Sequence, residues 1–212
     1  MPLELHPATE ADAERAAAIE KEAYASDLFM PILFPGPFPE PQAGQKDWRV
    51  EELQGVIRED PSVRWLKVID TDIKPDEANS QMIGFAQWNI NDGSQPPPKP
   101  RTFGVGANVA ACKEASALLQ TTRRSRQQTK HVHLSMLHVD PRHQRRGAGR
   151  MLVMWGVEEA KKLGFPVFLE SSEVGASLYL TCGFSFVDID ALDFTKWGKP
   201  ATRITYIMAL EH

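Results

Sequence analysis

The sequence contains little cysteine, since Cys112 and Cys182 are its two cysteines in 212 residues. Two cysteines cannot make the disulfide framework with which small secreted domains replace a large core. Residues 1–6 also lack the basic and the apolar segments of a secretory signal. We therefore expect an intracellular, cytoplasmic protein whose two thiols stay reduced.

Long hydrophobic runs and an excess of one charge are also missing. No apolar run approaches the ~20 residues that a membrane-spanning helix needs, so a membrane protein is not expected. The formal net charge is −4, which argues against the broad basic surface of a nucleic-acid-binding protein. What is present is 42% hydrophobic residues over 212 positions, enough for one domain with a substantial core.

Alternating apolar patterns and helical periodicity divide the chain into strands and helices. Strands are predicted at 3–6, 64–69, 82–90, 131–139, 167–169, 184–189 and 203–210, and helices at 9–24, 47–59, 108–126, 147–163 and 176–181. In the strand at 131–139 we expect Val132, Leu134 and Met136 to face one way. The order predicts an α/β (α+β) fold in which a mixed sheet carries helices on both faces. We expect one domain over residues 1–212, with an inserted loop and helix at about 91–130.

Residues 28–39 are rich in large apolar side chains but are interrupted by prolines. Proline excludes both a long helix and a central strand from this segment. An apolar loop of this kind must cover either the core or a ligand, and the sequence leaves both open.

Residues 137–150 run from a strand through a turn into a loop with two glycines and then into a helix. Gly147 and Gly149 let a ligand approach the backbone, and the helix start offers unpaired N–H groups and the positive end of the helix dipole. Positive charge is added by Arg142, Arg145, Arg146 and Arg150. The stretch therefore predicts a pyrophosphate site. It is not a Walker loop, because no Lys-Ser/Thr pair follows, and not a dinucleotide fingerprint, because Leu152 replaces the third glycine.

Two motifs resemble those of the Gcn5-related N-acetyltransferases. Residues 144–149, Gln-Arg-Arg-Gly-Ala-Gly, fit that family's Gln/Arg-x-x-Gly-x-Gly/Ala pattern between a strand and a long helix. Residues 178–184, Leu-Tyr-Leu-Thr-Cys-Gly-Phe, fit its Leu-Tyr-x-x-x-Gly-Phe pattern between a short helix and a strand. The resemblance covers residues 134–186, about a quarter of the chain, and residues 168–172 are similar to fungal members. It implies a single-domain fold whose mostly antiparallel sheet of about seven strands holds acetyl-CoA at a splayed strand pair.

The resemblance implies acetyl-CoA as the cosubstrate and no metal. The backbone of Leu137, His138 and Val139 is expected to bind the pantetheine arm as an added strand would, in the gap beside the strand that begins at Val167. Ser172 stands where many members have an asparagine that contacts the cofactor. The pyrophosphate is expected on the loop and the first helical turn, at Gln144, Arg145, Arg146, Gly147, Ala148, Gly149 and Arg150.

Acetyl transfer to an amine needs a base, an oxyanion donor and an acid. The resemblance implies that Tyr179 protonates the leaving thiolate. Glu170 is the candidate base or amine-orienting carboxylate, and a solvated charge at a strand end is the alternative interpretation. His133 and His138 are further candidate bases, and a water chain can replace a single base. Cys182 is expected to pack, because direct attack by the amine needs no enzyme nucleophile.

These observations predict an acetyl-CoA-dependent N-acetyltransferase that acts on a primary amine of a small molecule, with Phe29, Leu33 and Phe34 covering the acceptor end. A protein N-terminal or lysine acetyltransferase is the alternative enzyme, and a non-catalytic acyl-CoA-binding sensor is the alternative of another class. A homodimer stays open, and neither nucleic acid nor a membrane is expected as a partner. The basic cluster at 123–126 is interpreted as a solvated helix end, with the cofactor 3′-phosphate or an acidic partner as the alternative.

Overall fold

The computed structural model describes residues 2–38, 47–76, 78–94, 103–127, 130–198 and 202–211. Within these residues one sheet of seven strands has the order β1-β2-β3-β4-β5-β7-β6. The strands are β1 Leu3–Pro7, β2 Val63–Asp70, β3 Met82–Asn91, β4 His131–Val139, β5 Val167–Ser172, β6 Ser185–Asp193 and β7 Thr202–Leu210. Neighbouring strands are antiparallel except β4 and β5, which are parallel. The predicted mixed, mostly antiparallel sheet is thereby confirmed.

The helices fall close to their predicted positions. They are α1 Ala13–Ala23, α2 Met30–Leu33, α3 Trp48–Glu59, α4 Val109–Gln127, α5 Ala148–Leu163 and α6 Glu173–Thr181. The proline-interrupted segment at 28–39 contains only the single turn α2 in its described part. Helix α4 lies between β3 and β4 in the chain, where the insertion was predicted. The rest of that insertion at 95–102 and 128–129, and the side chains of the basic cluster at 123–126, lie outside the described residues.

Helices cover both faces of the sheet, as the sequence predicted. On one face α5 and α6 enclose a core that includes Trp88 and Leu152. On the other face α1 and α3 pack on β2 and β3 around Phe85 and Leu53. A third apolar cluster lies around α2 and α4 and includes Phe194. The face opposite α5 and α6 is thus covered by two separate groups of helices, α1 with α3 and α2 with α4.

Strand β4 contains a bulge at Ser135. Gln87 of β3 pairs with Met136 and Trp88 pairs with Leu134, so Ser135 has no partner residue of its own in this ladder. The extra residue reverses the side-chain alternation. Met136 therefore packs with the core under α1 and α3, and the prediction that it shares a face with Leu134 is wrong.

The parallel pairing of β4 with β5 is short. It joins residues 132–134 to residues 167–169 and ends there, although β4 continues to Val139 and β5 to Ser172. Beyond Leu134 and Leu169 the two strands separate, which is the predicted splayed pair. Strand β5 also extends past its predicted end, so Glu170 lies within the strand and not at its terminus.

Candidate active site

The turn that follows β4 is fixed by a buried ion pair. Asp140 is 0% exposed and accepts a hydrogen bond from Arg15 of α1 at 2.6 Å. Arg142 donates to the same carboxylate from its backbone N–H at 2.9 Å and from its guanidinium at 2.8 Å. Burial raises the pKa of Asp140, but the hydrogen bonds from both arginines outweigh it and hold that pKa well below its usual value. The carboxylate thus stays ionised and ties the loop to α1.

The loop after this turn presents a row of backbone donors. Arg145 and Gly147 have positive φ values of 61° and 99°, and α5 begins at Ala148 without a side-chain cap. The first helical hydrogen bond of α5 runs from Met151 N–H to the Gly147 carbonyl. Within the described part of the chain, none of the backbone N–H groups of residues 145–150 donates a hydrogen bond. Free donors at the positive end of a helix dipole form a site for an anionic group.

The arginines of this loop divide into two pairs. Arg146 donates to the buried Asp70 at the end of β2 at 2.7 Å, and Arg142 is bound to Asp140. These two side chains stabilise the loop. Arg145 and Arg150 are exposed and line the cleft beside the helix start, so they are the two that can contribute positive charge to a bound anion.

A continuous cleft of about 3150 Å³ runs from this loop, past the split between β4 and β5, to α2 and α4. Fifteen of the sixteen predicted site residues line it, and Arg146 is the exception. They are Phe29, Leu33, Phe34, Leu137, His138, Val139, Gln144, Arg145, Gly147, Ala148, Gly149, Arg150, Glu170, Ser172 and Tyr179. The fold therefore brings the predicted cofactor, catalytic and acceptor residues to one cavity.

Tyr179 lies on α6 at the wall of this cleft. Its side chain is mostly buried, and burial raises its pKa. Its hydroxyl makes no hydrogen bond to another residue that the structure describes. The neighbouring Cys182 is also buried, and burial raises the pKa of its thiol. At neutral pH the tyrosine can donate a proton, whereas the protonated thiol is a poor nucleophile.

Glu170 and His133 face each other on β5 and β4. Glu170 Oε2 lies 2.8 Å from His133 Nε2, and the side chains are 8% and 9% exposed. The imidazole stacks on Phe168, with ring centroids 4.6 Å apart. Both residues were named as candidates from the sequence, but their pairing depends on the registration of two parallel strands. The burial of Glu170 overturns the alternative of a solvated charge.

Ser172 and His138 have local partners. Ser172 caps α6, since its hydroxyl accepts from Gly175 N–H at 3.2 Å. The ring of His138 contacts Tyr24 edge-on at 5.0 Å and Phe85 at 5.4 Å. Burial lowers the pKa of His138 against the opposing effect of Glu20, which favours the neutral imidazole.

Sequence reasoning missed several polar residues of the cleft, two of which are Gln87 and Arg203. Gln87 interrupts the apolar run of β3 and is 8% exposed, and Arg203 of β7 lies over the Phe29 ring at 5.7 Å. Both line the cavity. A glutamine among buried apolar residues is a visible signal in the sequence, but its meaning depends on which face of β3 it occupies.

A mixed sheet that opens between two parallel strands, beside a helix start suited to a pyrophosphate, defines an acyl-coenzyme A-dependent transferase. The sequence profile of the Acetyltransferase (GNAT) family matches residues 27–184, and the chain belongs to this family. It is an enzyme of the acyltransferase class with acetyl-CoA as its cosubstrate.

No cluster of His, Cys, Asp or Glu within the described ranges is arranged to hold a metal ion. Nor is any helix in them long and apolar enough to cross a bilayer.

Solved structures share the fold at low sequence identity. The mosquito arylalkylamine N-acetyltransferase like 5b has a TM-score of 0.60 and 16% identity over 98% of this chain and 99% of that chain. The histone acetyltransferase HPA2 and related acetyltransferase from Corynebacterium glutamicum has a TM-score of 0.57 and 18% identity over 98% and 96%. The ribosomal-protein-S18-alanine N-acetyltransferase from Escherichia coli has a TM-score of 0.56 and 18% identity over 98% and 92%. No curated protein matches the chain in sequence.

Proposed function

We propose that the chain, acting as one N-acetyltransferase domain over residues 1–212, transfers the acetyl group of acetyl-CoA to the primary amine of a small molecule with an apolar body. The observation that carries this proposal is the third apolar cluster. Its residues Phe29, Leu33 and Phe34 line the same cleft as Tyr179 and the pyrophosphate loop. Helix α4 lines this end with Cys112, Ala115 and Leu118. A concave end lined by apolar side chains suits a small organic amine with an apolar body.

The cofactor arm is proposed to bind along the free edge of β4. Leu137, His138 and Val139 pair with β3 on one side, while on their other side the pairing with β5 has already ended. Backbone groups on that side can pair with the amides of a pantetheine arm, as with an added strand. The pyrophosphate then falls on the free N–H groups of residues 145–150, with Arg145 and Arg150 beside it.

The reaction is proposed to proceed by direct attack. The amine nitrogen forms a bond to the thioester carbon, the carbon–sulfur bond breaks, and the sulfur leaves as a thiolate. Tyr179 supplies a proton to that thiolate. Glu170 takes the proton that the nitrogen loses, while His133 at 2.8 Å holds its carboxylate in place.

A screen of acceptors with acetyl-CoA and detection of the free thiol tests this proposal. We expect arylalkylamines to be acetylated in preference to peptides with free N-termini or lysines. Acetylation of peptides without acetylation of small-molecule amines would favour a protein acetyltransferase and contradict the proposal. Binding of acetyl-CoA with no transfer to any acceptor would favour a sensor.

A further inference from the structure

Arg203 places a positive charge in the apolar wall at the acceptor end of the cleft. It lies on β7 opposite Leu192 of β6, and both residues line the cleft. Its guanidinium carbon is 5.7 Å from the centre of the Phe29 ring, and that ring packs on Phe194 with centroids 4.9 Å apart. A charge beside apolar walls attracts an opposite charge more strongly than a charge in open water does, because the local dielectric constant is lower.

The guanidinium of Arg203 has no anionic partner in the part of the chain that the structure describes. No described residue forms an ion pair or a hydrogen bond with it. Arg203 is only partly buried and lines the cleft, so a molecule bound there can contact it. The planar fork of N–H donors in a guanidinium matches the two oxygens of a carboxylate.

Two carboxylates near Arg203 are held by other groups. Burial raises the pKa of the Tyr24 hydroxyl, the charge of Glu20 raises it further, and the charge of Arg203 lowers it. Asp27 acts on the same hydroxyl. Glu20 accepts two hydrogen bonds from the Arg49 guanidinium at 2.7 and 2.8 Å, and Asp27 accepts from two backbone N–H groups at the start of α2 at 2.7 and 2.8 Å. Arg203 is therefore left to bind the carboxylate of a ligand.

The register of β7 gives the separation between Arg203 and the proposed base. Glu170 pairs with Ile207, and cross-strand partners point to the same face of a sheet. Arg203 is four residues before Ile207, so it shares that face, and the two backbone positions are about 13 Å apart along the strand. His133 holds the Glu170 carboxylate toward β4, away from β7, so the side chains do not shorten this separation. An α-amino acid, whose carboxylate adjoins its amine, is too short to span it.

We propose that Arg203 binds a carboxylate of the acceptor, and that the preferred acceptor is an amine whose apolar body carries this carboxylate at the end remote from the nitrogen. The amine then lies at Glu170 and the apolar body lies along the cluster that contains Phe29. The carboxylate accepts hydrogen bonds from the guanidinium of Arg203. This inference rests on the proposed function and names the class of its acceptor.

The test compares phenethylamine with para-carboxyphenethylamine, which has the same amine and ring and adds the remote carboxylate. We expect the wild type to show a KM about 10-fold lower or more for the carboxylated amine, the worth of a hydrogen bond to a charged group. Arg203→Met should abolish this preference by raising KM for the carboxylated amine, with a much smaller effect on phenethylamine. Arg203→Lys keeps the charge and should retain part of the preference. Phenylalanine, with its carboxylate beside the amine, should gain nothing over phenethylamine.

Arg64→Met is the matched control. Arg64 lies on a strand, bonds the carbonyls of Pro61 and Val63 at 2.7 and 2.9 Å and is outside the cleft lining, so its variant should keep the wild-type preference. In Arg203→Met the affinity for acetyl-CoA, measured by calorimetry, should stay unchanged. Its loss would assign Arg203 to the cofactor and overturn the inference.

Two kinetic outcomes would also overturn the inference while leaving the proposed function in place. One is an equal KM for the two amines in the wild type. The other is an equal rise in KM for both amines in Arg203→Met, since Arg203 would then act through packing alone. If the wild type acetylates neither amine, the proposed function fails first and the inference falls with it.

Discussion

At the scale of single residues, the proposed acid catalysis depends on the hydroxyl of Tyr179. Because burial raises its pKa, it stays protonated through and beyond neutral pH. We expect Tyr179→Phe to lower kcat by about 100-fold, the lower range for one general acid, with acetyl-CoA affinity nearly unchanged. Tyr206→Phe is the control, since Tyr206 packs on Phe186 outside the cleft. An unchanged kcat in single-turnover measurements would remove Tyr179 from the mechanism.

Substitution of Gly147 by asparagine or by aspartate tests the anion site, because the two new side chains are equal in size and differ only in charge. The Gly147 φ of 99° is strained for most residues, but asparagine and aspartate tolerate positive φ better than others. Gly147→Asn and Gly147→Asp should therefore fold alike. A negative charge at the helix start opposes a pyrophosphate, so Gly147→Asp should bind acetyl-CoA at least 10-fold more weakly than Gly147→Asn. Equal affinities of the two variants, measured by calorimetry, would place the pyrophosphate elsewhere.

The features of the cleft that the sequence predicted are those that depend on local geometry. A glycine at positive φ and a loop before a helix can be seen in a short stretch of sequence. The hydrogen bonds of Gln87 and the pairing of Glu170 with His133 depend on neighbours 2 to 48 positions away on three strands. Such contacts follow only when strand order and register are known.

At the scale of elements, Arg15 and Asp140 join α1 to the end of β4. Removing one partner leaves the other charge buried, which typically costs about 3–5 kcal/mol. We expect Asp140→Asn to lower the free energy of unfolding by about 3 kcal/mol in urea titrations, the lower end because asparagine can still accept a hydrogen bond. The control Arg58→Ala removes an exposed pair with Glu10 and should change stability little. A loss in Asp140→Asn no larger than in the control would show that the pair does not hold the turn.

The pH dependence of the free energy of unfolding gives a second test of Asp140→Asn. The pKa of Asp140 is lower in the folded protein than in the unfolded chain. Its carboxylate therefore stabilises the fold above the unfolded pKa of about 4. That contribution is lost as the pH falls from there toward the folded pKa. The stability difference between wild type and Asp140→Asn should thus be constant near neutrality and shrink below pH ~4. A difference that stays constant into acid would assign the effect to packing.

The elements themselves were largely predictable, because apolar periodicity and glycine or proline boundaries are local properties. The bulge at Ser135 was not, since nothing in the alternation of His131 to Val139 distinguishes an inserted residue from a regular one. The bulge turns Met136 to the other face and places Ser135 beside Gln87 and Asn89. The bulge, which the sequence did not predict, therefore determines which polar side chains lie together at this part of β3 and β4.

At the scale of the whole molecule, the cleft has two chemically different ends. One end is built from a helix start with free N–H groups and exposed arginines, and the other from the apolar cluster of α2 and α4. The split between β4 and β5 connects them. In the proposed function the first end holds the cofactor and the second holds the acceptor, so substitutions at the two ends should alter the two affinities separately, which kinetics can measure.

Phe34 is the residue through which the acceptor end can be tested. It packs at the edge of the apolar cluster and lines the cleft, so its side chain can contact an apolar acceptor without contacting the cofactor loop. We expect Phe34→Ala to raise KM for phenethylamine roughly 10-fold, since losing an aromatic contact weakens binding by about 1–2 kcal/mol. Because the lost contact concerns the acceptor alone, acetyl-CoA affinity should be unchanged.

The control for this experiment is Phe186→Ala, which removes a phenyl ring of the same size from a surface position. Phe186 is 48% exposed on β6 and is not part of the cleft lining, so its removal should leave both affinities as they are. A charged polyamine such as spermidine adds a second comparison, because burying its extra ammonium groups against apolar walls is costly. Spermidine should be a poorer acceptor than phenethylamine, and Phe34→Ala should narrow that difference. If spermidine is instead the best acceptor and Phe34→Ala leaves its kinetics unchanged, α2 and α4 do not form the acceptor pocket.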